Sequence, residues 1–295
     1  MPANSIPTGS SVGPFHGHLS NPNSDRVRSV ARLAARSGRR RAGRFLAEGP
    51  QAVREALPAA AVDELFMTGD AAQRHPDILA SAAAAAVPVR RCTEPVLAAV
   101  AGTVHPQGMV AACRPVDVPA PDLLAAAPRP GSPALFTVLA QARDPGNAGT
   151  VIRASDAAGA TGVVLTVGSV DLYNPKCVRA SAGSLFHLPV AIGAVLPGLL
   201  ASIRDRGVCV LAADGSGDTG LDDLMADAYA GTGPLTGPVA WVFGNEAWGM
   251  GTAERAAADL VVRVPIYGRA ESLNLASAAA VCLHGTAQCQ RLSGR

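Results

Sequence analysis

Three loops of the sequence carry polar side chains that could do chemistry, and each follows a short apolar run typical of a buried strand. These residues are Asn147 and Arg153 after LFTVLA, Asn245 and Glu246 after VAWVF, and Ser272 and Asn274 after DLVVRVP. An arginine can hold an anion, whereas serine and asparagine can hydrogen-bond a ligand or cap a helix. Glu246 would be costly at a strand end unless it is solvated or paired with a cation such as Arg153.

The first loop, RDPGNAGTVIR, leads into a helix that we expect over about residues 148–158. Asn147 is well placed to cap that helix. Capping does not account for Arg153, which lies further into the helix, where an arginine either reaches solvent or points at an anion. The glycines lack the GxGxxG spacing of a dinucleotide-binding loop, which argues against a Rossmann-type nucleotide enzyme.

The other two loops each allow a structural and a functional interpretation. VFGNEAWGM is either a simple turn or a place where Gly244 lets the backbone approach a ligand closely. In the third loop, Ser272 and Asn274 directly precede an Ala-rich helix. Because residues two apart in an extended segment project to opposite sides, one of them can cap the helix while the other faces a ligand.

The elements that position these loops alternate between short apolar strands and helices over residues 134–295. This pattern predicts an α/β domain with a parallel sheet covered on both faces, so the functional groups should lie beyond the carboxyl ends of the strands. Residues 25–115 read as a smaller α/β unit, the Pro-rich stretch 116–133 as a linker, and residues 1–24 as a flexible tail.

Composition excludes several classes of protein. Of the 295 residues, 48% are hydrophobic and 16% charged, so we expect a sizeable core and no wholesale disorder. No apolar run approaches the roughly 20 residues needed to span a bilayer, so we expect a soluble, cytoplasmic protein without a membrane partner. Six cysteines and six histidines are scattered without metal-ligand spacing, which argues against a metal site and a disulfide framework, and most of the cysteines should be buried.

Positive charge is concentrated in one block. Net charge is only +2, yet eight arginines and no acid lie between Arg26 and Arg44. The block is either a solvated helical face or a surface that contacts nucleic-acid phosphates. Arginine abundance alone does not decide between them, because one lysine against 24 arginines indicates a compositional bias.

The three loop segments, DPGNAGTVIRAS, VFGNEAWGM and VPIYGRAESLNLASAAAVCLHG, resemble in this order the three signature motifs of the SpoU (TrmH-type) family of RNA ribose 2′-O-methyltransferases. The intervening YNPKCVRASAGSLFHLPV resembles the family's NP-x-x-x-R-A-S-x-G stretch. RFLAEGPQAVREAL and HPQGMVA resemble the L30e-like substrate-binding domain that many members carry. The resemblance covers about residues 26–115 and 134–290.

The resemblance implies a deep trefoil knot (the SPOUT fold), S-adenosylmethionine bound among the knotted loops, no metal, and an active site shared across a homodimer. By matched position, the catalytic set is Asn147, Arg153, Glu246, Ser272 and Asn274. The backbone that lines the cofactor site is at Gly244, Val264, Ile266 and Leu273. Candidate RNA contacts are Arg39, Arg40, Arg41, Arg44 and Arg179. The chain departs from the common GxEGxG pattern with Ala247 and Trp248, which puts the shape of that loop in doubt.

The implied reaction is methylation of a ribose 2′-hydroxyl in RNA. Ribosomal RNA is favoured over tRNA because the accessory domain resembles a ribosomal protein's fold, and a non-catalytic RNA-binding protein is the alternative from another class. Arg153 is expected to clamp the phosphate beside the target ribose, oriented by Glu246; the role of base is the other possibility, although a guanidinium is a poor base. RNA should be recognised through shape and backbone, because only 4% of residues are aromatic.

Overall fold

The computed structural model describes residues 15–101, 103, 106–125 and 133–293. Within these residues the N-terminal unit has a five-stranded mixed sheet in the order β1-β4-β3-β5-β2. Its strands are β1 (His18–Leu19), β2 (Phe45–Glu48), β3 (Val62–Thr68), β4 (Val89–Cys92) and β5 (Met109–Cys113). Its helices are α1 (Asp25–Ala31), α2 (Arg36–Ala42), α3 (Pro50–Ala56), α4 (Gly69–Arg74), α5 (Pro76–Ala84) and α6 (Glu94–Ala101), with a 3₁₀ turn at Arg32–Ala34.

The predicted tail is wrong for the part that the structure describes. Residues 16–19 lie along the N-terminal sheet: β1 pairs in parallel with β4, and the His16 amide donates to the Val89 carbonyl at 2.8 Å. Ser24 then caps α1 by accepting from the Val27 amide. A strand of only two residues is too short to show the alternation by which strands are predicted. The remainder of the predicted tail, residues 1–14, lies outside the described residues.

The C-terminal unit is the α/β domain that the sequence predicted, and in the described chain it has a seven-stranded sheet whose neighbouring strands all pair in parallel. The strands are β6 (Leu135–Leu139), β7 (Gly162–Thr166), β8 (Val190–Ala194), β9 (Cys209–Ala213), β10 (Thr219–Gly220), β11 (Val239–Phe243) and β12 (Leu260–Arg263). They lie in the order β10-β12-β9-β11-β6-β7-β8.

Helices of this unit are α8 (Pro145–Ala158), α9 (Pro175–Ala180), α10 (Leu196–Arg204), α11 (Leu221–Tyr229), α12 (Thr252–Ala256) and α13 (Leu275–Ser293), with 3₁₀ turns at Ser184–Phe186 and Pro234–Thr236. The three loops of interest follow β6, β11 and β12. Because the sheet is parallel, these loops share its carboxyl edge.

The predicted linker contains structure. Helix α7 (Ala120–Ala125) lies within it and buries Leu123 and Leu124 against the C-terminal sheet. A Cβ at Gly162 would lie 2.8 Å from Leu123, so the contact is close, and the Val118 amide donates to the Val190 carbonyl at 2.9 Å. The surrounding prolines favoured a linker, so the short apolar helix in DLLA was not predicted. Residues 126–132 of the predicted linker lie outside the described part.

Three contacts fix the helices that carry the loops. Helix α8 packs so closely on α9 that a Cβ at Gly149 would lie 2.3 Å from the Cys177 carbonyl oxygen. The Thr137 and Ser155 hydroxyls hydrogen-bond in the core at 2.9 Å and tie α8 to β6. The Trp241 indole donates to Thr286 Oγ1 at 2.9 Å and ties α13 to β11. Both helices are therefore held rigidly in place.

The two units meet along β2 and α9. Phe45 of β2 stacks on Tyr173 with ring centroids 4.4 Å apart, and the Tyr173 hydroxyl accepts from the Val116 and Asp117 amides. Three ion pairs cross the same junction: Arg39–Asp171, Arg179–Glu48 and His187–Glu55. Five of the six cysteines are buried and all are free, as the sequence indicated.

Candidate active site

Helix α8 begins at Asp144, not at Asn147. The Asp144 carboxylate accepts from the Asn147 amide at 2.8 Å, and Pro145 occupies the first helical position. The predicted Asn147 cap is therefore wrong: a cap must precede the helix, and the Asp-Pro dipeptide starts it three residues earlier. The side chain of Asn147 is consequently free to contact other loops.

The loop after β11 is a tight, well-bonded turn. Asn245 and Gly249 exchange backbone hydrogen bonds of 2.9 and 2.8 Å. The side chain of Asn245, only 5% exposed, donates to the Gln141 carbonyl at 2.7 Å and accepts from the Ala247 amide at 2.8 Å. Glycine is required at 244 because a Cβ there would lie 2.6 Å from the backbone of Gly249. The turn therefore closes with Ala247 at the position where the resemblance implied a glycine.

Glu246 accepts hydrogen bonds from the first loop. Its carboxylate oxygens accept from the Arg143 amide at 3.0 Å, the Asp144 amide at 3.1 Å and Asn147 Nδ2 at 3.2 Å. Burial alone would raise the pKa of Glu246, but these donors outweigh it and hold the pKa below its ordinary value. The predicted pairing with Arg153 is wrong for this structure, because backbone amides and Asn147 already satisfy the carboxylate.

The third loop closes the cluster through Asn274. Asn274 Nδ2 donates to Asn147 Oδ1 at 3.1 Å, and Asn274 Oδ1 accepts from the Ala276 amide at 2.9 Å and so caps α13. The ionised carboxylate of Glu246 can only accept hydrogen bonds. Asn147 must therefore turn its NH₂ group toward Glu246 and its oxygen toward Asn274. Asn274 is thus the residue that caps the helix, and a ligand contact for Ser272 stays a prediction.

Ser272 and Arg153 do not share in the hydrogen bonds of this cluster. Both are exposed, and in the described part of the chain neither side chain has a hydrogen bond or ion pair. Arg153 lies six residues after Asn147 on α8, which places it about 9 Å along the axis and about 120° around it. The structure thus joins three of the five predicted catalytic residues and leaves two available for a ligand.

The segment that leads to α13 offers unpaired backbone groups. From Ile266 to Leu273, no backbone amide or carbonyl bonds to another group of the described chain. Ile266 and Leu273 are each 38% exposed, and Val264 is half-buried against the core. Together with Gly244, these residues lie in the two loops at the carboxyl ends of β11 and β12, where a polar ligand with an apolar ring could bind.

The predicted RNA-contacting arginines fall into three groups. Arg39 is wrong as a contact: it is 6% exposed, and its guanidinium bonds Asp171 at 2.6 Å and the Leu33 and Ala34 carbonyls. Arg44 and Arg179 are exposed at the surface but paired with carboxylates. Arg40 and Arg41 are exposed, and no ion pair within the described residues involves them.

Sequence reasoning missed Arg143, Asp144 and His187. The Asp-Pro start of α8 was a readable capping signal for Asp144. His187, which bridges Asp156 at 2.7 Å and Glu55 at 3.0 Å, left no such signal because its partners come from distant parts of the chain.

Chemically, the site combines a rigid hydrogen-bonded frame with an unpaired cation, an unpaired hydroxyl and free backbone donors and acceptors. Such a set can hold an anion and orient a hydroxyl. No group of three or more His, Cys, Asp or Glu side chains suited to a metal ion occurs among the described residues. In the same part of the chain, no helix is both long and apolar enough to cross a membrane.

Family comparisons match both units. The model described as the SpoU rRNA Methylase family matches residues 134–284, and that described as the MRM3-like substrate binding domain matches residues 24–111.

Similar proteins include two with a named reaction. The 23S rRNA (guanosine(2553)-2′-O)-methyltransferase of Bacillus subtilis is 30% identical over 259 residues, covering 88% of this chain and 94% of that one. The 23S rRNA (uridine(2479)-2′-O)-methyltransferase of Streptomyces viridochromogenes is 37% identical over 157 residues, 51% of each chain. The AdoMet-bound rRNA methyltransferase from Sinorhizobium meliloti has a similar structure, with a TM-score of 0.76 and 27% identity over 92% of this chain and 97% of that one.

Proposed function

The chain belongs to the SpoU rRNA methylase family, and we propose that it transfers a methyl group from S-adenosylmethionine to a ribose 2′-hydroxyl of ribosomal RNA. One observation carries the proposal: Glu246, Asn147 and Asn274 join the three signature loops into one frame beside the unpaired Arg153 and Ser272. The named reactions of the two 23S rRNA relatives support both the ribose and the ribosomal substrate. A ribosomal substrate also implies that the enzyme works in the cytoplasm.

The chain's own groups fit the cofactor. Unpaired backbone groups between Ile266 and Leu273 can hydrogen-bond an adenine edge, while the exposed side chains of those two residues can cover its face. Gly244 closes the loop on the other side. When bound, S-adenosylmethionine supplies an electrophilic methyl group on a sulfonium, and no metal is needed. The trefoil knot of the family would bring these loops together, and we include it in the proposal.

The proposed roles of the catalytic residues follow from their partners. Asn147, Glu246 and Asn274 act as positioning residues, because each is committed to the frame. Arg153 holds the phosphate beside the target ribose through its planar fork and polarises the 2′-hydroxyl. A guanidinium with a pKa above about 12 is a poor proton acceptor, so positioning, not proton removal, is its main contribution. Ser272 holds the hydroxyl or the cofactor's carboxylate.

We propose further that the enzyme works as a homodimer in which Arg153 serves the partner's site. Two observations support this. The exposed Arg153 has no hydrogen bond or ion pair within the described residues of its own chain, and helical geometry places it about 120° around α8 from Asn147. Beside it, Ala154 and Ala157 of α8 and Val281 of α13 line a groove of about 520 Å³, in which Val281 is 45% exposed. A second copy packed on this groove would cover apolar surface and receive Arg153 at its own loops.

Mixing two inactive variants tests this arrangement. Arg153→Ala removes the guanidinium, and Gly244→Ala forces a Cβ into the backbone of its own loop. If Arg153 acts across the dimer, a re-equilibrated equal mixture regains roughly a quarter of wild-type activity, because half of the dimers then contain one intact site. If the mixture stays inactive while the variants exchange subunits, Arg153 acts within its own protomer.

A separate titration tests the reaction class. Calorimetry should detect S-adenosylmethionine binding to the wild type and to Arg153→Ala with similar affinity, because Arg153 is proposed to contact RNA. Methyl transfer to ribosomal RNA should be lost in the variant. Absence of binding to the wild type would remove the proposed function.

A further inference from the structure

Trp248 is a large aromatic side chain that the catalytic frame does not use. It lies two residues after Glu246 and is 59% exposed, whereas Trp241, the other tryptophan of the sequence, is fully buried. A single exposed apolar side chain can be incidental. Trp248 therefore needs a second observation before it indicates a site.

The second observation is its rigid and charged setting. Trp248 stands at the tip of the turn that Asn245 and Gly249 close with two backbone hydrogen bonds, so the ring does not sit on a loose loop. The guanidinium of Arg143 lies over the ring, 5.9 Å from its centroid. Arg143 is itself exposed, and no carboxylate of the described residues pairs with its guanidinium. Its backbone amide is fixed by Glu246.

The surrounding charges favour an anionic partner. Glu246, Asp214 and Asp144 lie beside this turn or Arg143, and all three are already committed: Glu246 to three donors, Asp214 to Ser216 and Arg255, and Asp144 to Lys176 and the Asn147 amide. An exposed indole next to an unpaired guanidinium offers a flat stacking surface and a phosphate partner at once. This pair of groups matches one nucleotide of single-stranded RNA, whose base stacks and whose phosphate carries the charge.

We propose that Trp248 and Arg143 form a stacking platform for the base of a nucleotide next to the one that is methylated. The proposal deepens the proposed function and rests on it for the identity of the RNA. The platform sits beside the cofactor loops and holds the strand in register without reading the base edge, since every base has a face that can stack. It also revises the expectation that the chain lacks an aromatic platform.

Fluorescence tests the platform directly, because the solvent-exposed Trp248 reports separately from buried Trp241. The probes are a ten-nucleotide oligoadenosine and an abasic ribose-phosphate oligomer of the same length and charge. Oligoadenosine should quench the exposed tryptophan signal, and the abasic oligomer should not. The variants lack this reporter, so their affinity is measured by calorimetry: Trp248→Phe, which keeps a ring, should bind oligoadenosine within about threefold of wild type, and Trp248→Leu should bind roughly five- to hundredfold more weakly.

Two controls separate the alternatives. Arg206→Gln removes an exposed arginine that follows the end of α10 and donates to the Ser202 carbonyl, and it should weaken oligoadenosine binding less than Arg143→Gln does. Calorimetry with S-adenosylmethionine should give equal affinities for wild type and Trp248→Leu, so loss of cofactor binding would overturn the platform while leaving the enzyme class intact. The proposal is also overturned if Trp248→Leu binds both oligomers as wild type does, or if it instead dissociates the dimer in sedimentation.

Discussion

Replacing Glu246 by glutamine tests the frame that joins the three loops. The carboxylate accepts from two backbone amides and from Asn147 Nδ2, at 3.0 to 3.2 Å. A glutamine side chain has nearly the same shape but only one accepting oxygen. Its amide group would face at least one of these donors, so at least one of the three hydrogen bonds cannot form and a donor is set against a donor.

The magnitude follows from those lost bonds. A hydrogen bond to a charged group contributes about 1.5–3 kcal/mol, but Glu246 is exposed and water can replace part of it, so we expect a loss of about 1–2 kcal/mol in total. That corresponds to a decrease in Tm of about 2–6 °C. Because the glutamine amide group faces a backbone N–H, it displaces the loop that positions Asn147 and its link to Asn274, and kcat should fall roughly ten- to hundredfold.

Thermal unfolding and single-turnover methylation measure the two effects, with Glu254→Gln as the matched control. Glu254 also accepts from a backbone amide, that of Gly251 at 2.9 Å, but at the start of α12 and outside the frame. The control should keep wild-type activity. If Glu246→Gln is as active as Glu254→Gln, the frame has no part in positioning and the reasoning is refuted.

The effect of Glu246→Gln on stability should also depend on pH, in a direction set by the pKa of Glu246. The pKa of Glu246 is lowered by folding, so its contribution is present above its unfolded pKa of about 4.5 and is lost as the pH falls through the folded value. The stability difference between wild type and Glu246→Gln should therefore shrink as the pH falls below about 4.5. A difference that grows in acid would contradict the hydrogen bonds seen here.

Three further predictions concern the rest of the chain. Arg39→Met should lower the free energy of unfolding by about 3 kcal/mol in denaturant titrations, because it leaves a carboxylate and two carbonyls without their partner. The double variant Arg40→Gln, Arg41→Gln should leave stability unchanged but reduce the slope of log RNA affinity against log salt concentration by about 2. An unchanged slope would exclude the two arginines as phosphate contacts. The pKa of His187 is raised, chiefly by its hydrogen bond to Asp156 and further by Glu55. The contribution of His187 to stability is therefore full below about pH 6.5 and is lost as the pH rises through the pKa of the folded state. His187→Gln should flatten that part of the stability profile, and a profile identical to wild type would show that the bridge adds nothing.

Much of the fold could be predicted from the sequence because its signals are local. Apolar runs such as VAWVF and the Ala-rich start of α13 placed buried strands and helices, and the parallel sheet followed from their alternation. The short helix α7 and strand β1 could not be found in this way. Each is too short to show a period and gains its stability from packing against distant residues.

The sequence predicted which residues form the site but not which groups they hydrogen-bond. The loop motifs identified Asn147, Glu246 and Asn274, yet the sequence suggested that Glu246 pairs with Arg153. Which donors reach a carboxylate depends on how the strand ends are juxtaposed, and here backbone amides reach it first. Arg39 illustrates the same limit, because its burial depends on Asp171, 132 residues away.

The central claim is tested most directly by mapping the methylated product. The purified enzyme, ribosomal RNA from a strain lacking its gene, and S-adenosylmethionine labelled in the methyl group are incubated together, and the labelled nucleoside is identified by mass spectrometry. We predict one 2′-O-methylated ribose, formed by the wild type and not by Arg153→Ala. Label on a base, or no label in any ribosomal RNA, would contradict the account.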